Sequence, residues 1–140
     1  MSRIIRPGSP ARARASLLAT VRETLAEFDA PGLPSDARDR LAFVVLSLRE
    51  LEQSTEQTAQ AWERRGYWVK VEQFRREWGW AGHGARGILE PLRGGDLEAA
   101  VQAAGALRHR LPGSAAPKPR HAPAPWAGAY ARLTNESASG

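Results

Sequence analysis

Residues 67–93 read YWVKVEQFRREWGWAGHGARGILEPLR, and the fold turns on whether this stretch is a loop or a helix. Aromatics, arginines and glycines crowd together in it. Such a mixture suits a phosphate-cradling loop, a surface that stacks on nucleic acid, or the packing face of a helix. The apolar positions decide. Tyr67, Val71, Phe74, Trp78, Ala81, Ala85, Ile88 and Leu92 follow one another in steps that alternate between four and three, which is the spacing of one helical face. The pattern crosses Gly79, Gly82, Gly84 and Gly87 without losing phase, and a loop has no reason to keep phase. Each of these glycines costs about 1 kcal/mol relative to alanine inside a helix. That cost is tolerated where another element comes close, because a missing Cβ permits the approach. The spacing predicts a mostly helical 67–93, with a break somewhere in Gly79–Gly87 left open.

Working outward, Ser9 followed by Pro10 is a helix start. Leu17, Leu18, Val21, Leu25 and Phe28 then form one apolar face. Ser35 is the expected cap of a second helix, with Asp36 in its first turn. The stripe of that helix is Leu41, Val44, Val45, Leu48, Leu51, Thr55, Ala59 and Trp62, at helix-packing spacing. Phe43 and Leu46 lie off this stripe, so the start of the helix is expected to be covered on two sides. Glu50, Glu52, Glu56 and Glu63 read as a solvated face. Gly94-Gly95 is a turn, Asp96 a cap, and Leu97, Val101, Ala104 and Leu107 or Leu111 the inner side of a further helix. No strand alternation and no internal repeat occurs. The expected fold class is therefore all-α: a small bundle of about four helices around one long central helix pair.

Composition divides the chain into three segments. Residues 1–9 read as a flexible basic lead, 10–111 as the bundle, and 112–140 as a disordered, Ala/Pro-rich basic tail. Within the tail Trp126, Tyr130 and Leu133 are spaced i, i+4, i+7, the anchor pattern of a short helix laid in a groove. The tail is expected either to recruit a partner or to clasp the bundle. If the linker composition supplies no core, deleting 112–140 leaves the fold intact.

Charge is distributed unevenly. The net charge is +5, yet residues 1–15 carry +4, residues 108–140 carry +4 and the middle carries −3. Basic ends on a mildly acidic body suit a polyanion or an acidic protein surface; they also simply keep a chain soluble. There is no cysteine, which removes thiol catalysis, disulfides and cysteine zinc sites. No apolar run approaches the length of a membrane span, and a cytoplasmic location is expected. An Arg-rich, acid-poor N-terminus also resembles a cleaved organellar targeting segment, but the apolar spacing from Leu17 runs on into a structural helix.

Catalytic and metal chemistry find little support. His83, His109 and His121 match no metal-binding or nucleophile motif, and the expectation is no enzyme, no cofactor and no metal site. On a continuous helix Arg64, Trp68, Arg75, Arg86 and Arg93 share one face, which would pair with an acidic protein or with phosphates. Trp62, Val69 and Trp80 point in a different direction, nearly opposite the main stripe. Five tryptophans are too many for one small core, and exposed tryptophan is a frequent protein-contact residue. The favoured reading is an adaptor or assembly factor, binding a protein partner or a second copy of itself through Trp62, Trp68, Trp80, Arg64, Arg75, Arg86, Arg93 and the tail anchors. The alternative is a nucleic-acid-binding protein using the basic ends and the Arg64/Arg75/Arg86/Arg93 stripe. A third reading is a small-ligand or phosphate binder at Gly79–Gly87, although that segment fits neither phosphate-loop nor dinucleotide fingerprint.

Overall fold

A computed structural model describes residues 9–29, 31–111 and 124–139, with side chains through Asn135. All regular structure among these residues is helical. The helices are α1 (Pro10–Ala26), α2 (Ala37–Arg64), α3 (Trp68–Trp78), α4 (Trp80–Arg93), α5 (Leu97–Arg110) and α6 (Ala129–Ser139), with a 3₁₀ turn at Glu27–Asp29 after α1. No helix among the described residues is long and apolar enough to cross a membrane.

α1 starts where the sequence predicts. The Ser9 hydroxyl accepts from the Arg12 amide, and Pro10 occupies the first turn. α2 starts one residue later than expected. Its cap position is Asp36 rather than Ser35, and the Asp36 carboxylate makes no capping bond. That carboxylate is engaged instead by Arg40 and by Trp126. α2 ends at Gly66, whose φ is +79°. There the Gly66 amide donates to the Glu63 carbonyl at 2.9 Å and the Tyr67 amide to the Trp62 carbonyl at 3.0 Å. This closes the orphan carbonyls of α2 through a left-handed residue, which glycine adopts at no steric cost.

The stretch 68–93 is helical throughout, apart from one hinge residue, and Tyr67 is the cap position before it. Gly79 separates α3 from α4 but keeps right-handed helical angles, φ −61° and ψ −24°. The phase of the apolar stripe survives for that reason. Of the glycines beyond it, Gly84 serves packing. A Cβ on Gly84 would lie 2.8 Å from Leu107 Cδ1 and 3.4 Å from Leu48 Cδ1, so α4 lies close against both α2 and α5.

α2 is the spine, packing against every other helix. Its Leu41, Val44, Val45, Leu48 and Leu51 are fully buried, and the predicted stripe stays buried through Ala59. Val21 and Leu25 of α1, Ile88 of α4 and Ala100 and Leu107 of α5 complete the core from the remaining sides. Each such aliphatic side chain contributes about 1.5–3 kcal/mol by leaving water. The four-helix reading corresponds to α1, α2, the α3–α4 pair and α5.

The tail is described in part. Residues 1–8 and 112–123, read as flexible lead and linker, lie outside the described residues. Residues 124–139, which hold the short anchor read within the Ala/Pro-rich tail, supply α6, which packs along α2. Ala129 and Leu133 are 0% and 2% exposed and belong to the core.

Candidate interaction surface

The anchor triplet Trp126, Tyr130 and Leu133 is engaged within the chain. The Trp126 indole Nε1 donates to Asp36 Oδ2 at 2.7 Å. The Arg40 guanidinium lies 3.9 Å from the centre of the Trp126 ring and bonds Asp36 Oδ1 at 2.8 Å. One turn along α2, the Asp39 carboxylate accepts the Gly128 amide at 3.2 Å and the Tyr130 amide at 2.9 Å. A carboxylate thus caps the N-terminus of α6, where orphan amides and the helix dipole both favour negative charge. Burial alone would push the Asp36 carboxyl up. The bonds from Arg40 and Trp126 and the Arg40 charge outweigh it, and hold the group below the usual carboxylate range. Free recruitment by this triplet requires α6 to undock first.

The arginine stripe is largely neutralised from within. Arg75 forks onto Glu56 at 2.8 Å and onto Glu63 at 2.8 Å, contacts that push its guanidinium up through hydrogen bonds first from Glu56 and then from Glu63. Arg86 stands 3.9 Å from Glu52, and Arg93 is engaged as well. Three of the glutamates read as a solvated face of α2, Glu52, Glu56 and Glu63, are the partners of Arg86 and Arg75. Within the stripe, Arg75 and Arg86 are thus already paired with carboxylates.

Trp62 and Trp80 do not present free surfaces either. Both belong to a half-buried aromatic ladder. Trp62 meets Phe74 edge-on at 4.9 Å, Phe74 lies 6.4 Å from Trp78, and Trp78 stacks on Trp80 at 6.1 Å. Such pairs contribute about 0.5–1.5 kcal/mol each beyond their burial. The ladder seals α2 against α3 and α4, which explains how a chain of this size houses so many tryptophans.

What remains exposed is the corner between α2 and α3. Tyr67, Trp68 and Val69 are 46%, 64% and 71% exposed. Because the left-handed Gly66 turns the chain sharply, three consecutive apolar side chains project from the first turn of α3. They line a shallow cavity of about 420 Å³ together with Gly66 and Lys70. Arg64 and Arg65 flank them, and neither side chain has a partner among the described residues. The Lys70 ammonium lies 4.9 Å from the Trp62 ring and 5.9 Å from the Tyr67 ring. No acidic residue occupies the first turn of α3, so its positive dipole end is uncompensated. The corner is apolar at its centre and positive at its rim. Trp68 and Arg64 were legible as candidates from the sequence. Tyr67 was assigned to the core stripe, and Val69 was placed with Trp62 and Trp80; the turn at Gly66 exposes both.

The Gly79–Gly87 segment is helical beyond its first residue, so its amides from Gly84 onward are committed to helix bonds. It offers no loop for a phosphate. His83 is exposed. No cluster of three or more His, Asp or Glu side chains that could hold a metal ion occurs among the described residues. Compared with known proteins, the chain matches no family model, no curated protein and no solved structure.

Proposed function

We propose that this chain is a non-catalytic adaptor or assembly protein whose docking surface is the α2–α3 corner. Its partner is a protein segment that presents apolar side chains rimmed by acidic ones. The carrying observation is the run Tyr67–Trp68–Val69, which stands 46–71% exposed at a helix start with no acid in its first turn, beside Arg64 and Arg65, which have no partner among the described residues. Large exposed apolar patches with a polar rim mark interaction sites, and tryptophan, tyrosine and arginine dominate binding energy at them. The positive rim selects an acidic partner and speeds encounter.

A direct test uses three probes with the purified full chain: an acidic amphipathic peptide, a scrambled peptide of equal composition, and a single-stranded RNA. Calorimetry should detect the first peptide only, and Trp68→Ala with Arg64→Ala should abolish it. RNA binding that falls steeply with salt would replace this reading by the nucleic-acid one. Self-association removed by Trp68→Ala would make the partner a second copy. No binding of any probe would reject the corner as a docking surface.

A further inference from the structure

The most unusual charge in the molecule is Arg14, on the inner side of α1. Its side chain is 6% exposed. Arg40, Arg75 and Arg86 each meet a carboxylate; Arg14 meets none among the described residues. Its Nη1 donates to the hydroxyls of Ser54 and Thr58 of α2 at 3.1 and 3.3 Å. The guanidinium lies 5.2 Å from the Phe74 ring centre and 5.6 Å from that of Trp78. Its Nε has no hydrogen-bond partner. A buried cation without an anion is costly, and burial pushes this guanidinium down, with only the more distant Glu77 charge opposing.

Arg14 lines a cavity of about 230 Å³ between α1 and the α3–α4 hinge, together with Ala15, Leu18, Glu77, Trp78 and Trp80. Two stacked indoles form one side, and Ala11, Ala15 and Leu18 of α1 form the apolar part of the other. A cavity of about 150 Å³ takes a benzene ring, so this one has room for a ring bearing a short polar group. Polar and charged groups in such pockets fix orientation while the aromatic lining supplies contact. The cavity holds one carboxylate, Glu77, which makes no ion pair with Arg14 among the described residues.

We propose that this cavity is a binding site for a small planar carboxylate, of the size of benzoate. The ring lies against Trp78 and Trp80 and the carboxylate pairs with Arg14. Glu77, at the rim and exposed, is a competing negative charge that swings away as the ligand enters. The site is independent of the α2–α3 corner, and its failure leaves the docking proposal standing.

Tryptophan fluorescence of the full chain, titrated with benzoate and in parallel with neutral benzyl alcohol, tests it. Benzoate should quench saturably, and benzyl alcohol should bind at least tenfold more weakly. Arg14→Met keeps the side chain long and apolar and should erase that preference. Ala15→Leu fills the cavity with Arg14 intact and should weaken both ligands. Glu77→Gln should tighten benzoate alone. Equal binding of both ligands, or benzoate binding unchanged in Arg14→Met and Ala15→Leu, would overturn the assignment. So would the absence of saturable quenching by benzoate in the unmodified chain.

Discussion

Trp126 and Tyr130 at the tail, and Tyr67 and Trp68 at the α2–α3 corner, are similar in composition: aromatic side chains beside arginines, next to a helix start. One pair is folded onto the protein and the other is offered to solvent. The difference lies in acid. Asp36 and Asp39 of α2 present two carboxylates to the tail, one for the Trp126 indole and one for the first amides of α6. At the corner, Glu63 is already committed to Arg75 and Glu72 to Arg76. An aromatic cluster at a helix N-terminus docks where a spare carboxylate faces it and stays open where the carboxylates are taken. By the same logic, a partner for the corner should bring the acid that the corner lacks.

The largest expected effect comes from removing the docked region. Leu133→Ala should destabilise the fold by about 2–5 kcal/mol, the range for a buried leucine, and a stop codon before Trp126 should cost more. Urea unfolding of the two variants measures this. A tail-less chain as stable as the full one would mean that α6 rests on α2 without holding it.

A smaller effect should come from the carboxylate itself. Asp36→Asn weakens charge-assisted bonds to Arg40 and Trp126. With the Asp36 side chain 38% exposed, solvent screening limits the loss to about 1 kcal/mol. The pH dependence has a definite sign. Because the folded-state pKa of Asp36 is lowered, its contribution is complete above the ordinary carboxyl value of about 4. It is lost as pH falls through the folded value. The indole N–H resonance of Trp126 should therefore shift as the solution is acidified below about pH 4, and Asp36→Asn should remove that step. The groups facing Asp36 are Arg40 and Trp126; a step that persists in Asp36→Asn would show that Asp36 is not its source.

The smallest effect on stability belongs to the corner. Trp68→Ala should change the unfolding free energy by no more than about 0.5 kcal/mol, as is usual for exposed positions. A loss of several kcal/mol would show Trp68 to be a packing residue and would undo the contrast with Trp126.

Much of the bundle was legible because helical periodicity is dense in α2 and in 67–93. A run such as Leu41, Val44, Val45, Leu48, Leu51 admits one reading. Pairings between elements were less legible. Glu52, Glu56 and Glu63 carry no sign of facing arginines rather than water, since their partners sit 12 or more residues along the chain. The docking of α6 did leave a trace. Asp36, Asp39, Phe43 and Leu46 fall within about 80° of one another on a helix, a second stripe opened by two acids. Phe43 and Leu46 called for a second cover, but the Pro-rich composition of 112–125 pointed away from any core contribution by the tail. That composition characterises the linker alone and carries no information about residues 126–139. Arg14 was invisible as a site, because its burial depends on where α1 lands.

The contact of Trp126 with Asp36 joins positions 90 residues apart, and it has a consequence for how the molecule is made. Closing so long a loop carries a large entropic cost, and chains fold from the N-terminal side as they are synthesised. Helices α1 to α5 are complete by Arg110, while α6, which packs along α2, has yet to be translated. During that interval Asp36 and Asp39 lack their tail partners. The arrival of α6 is therefore a late folding step, in which Ala129 and Leu133 join a core that α1, α2, α4 and α5 have begun to build.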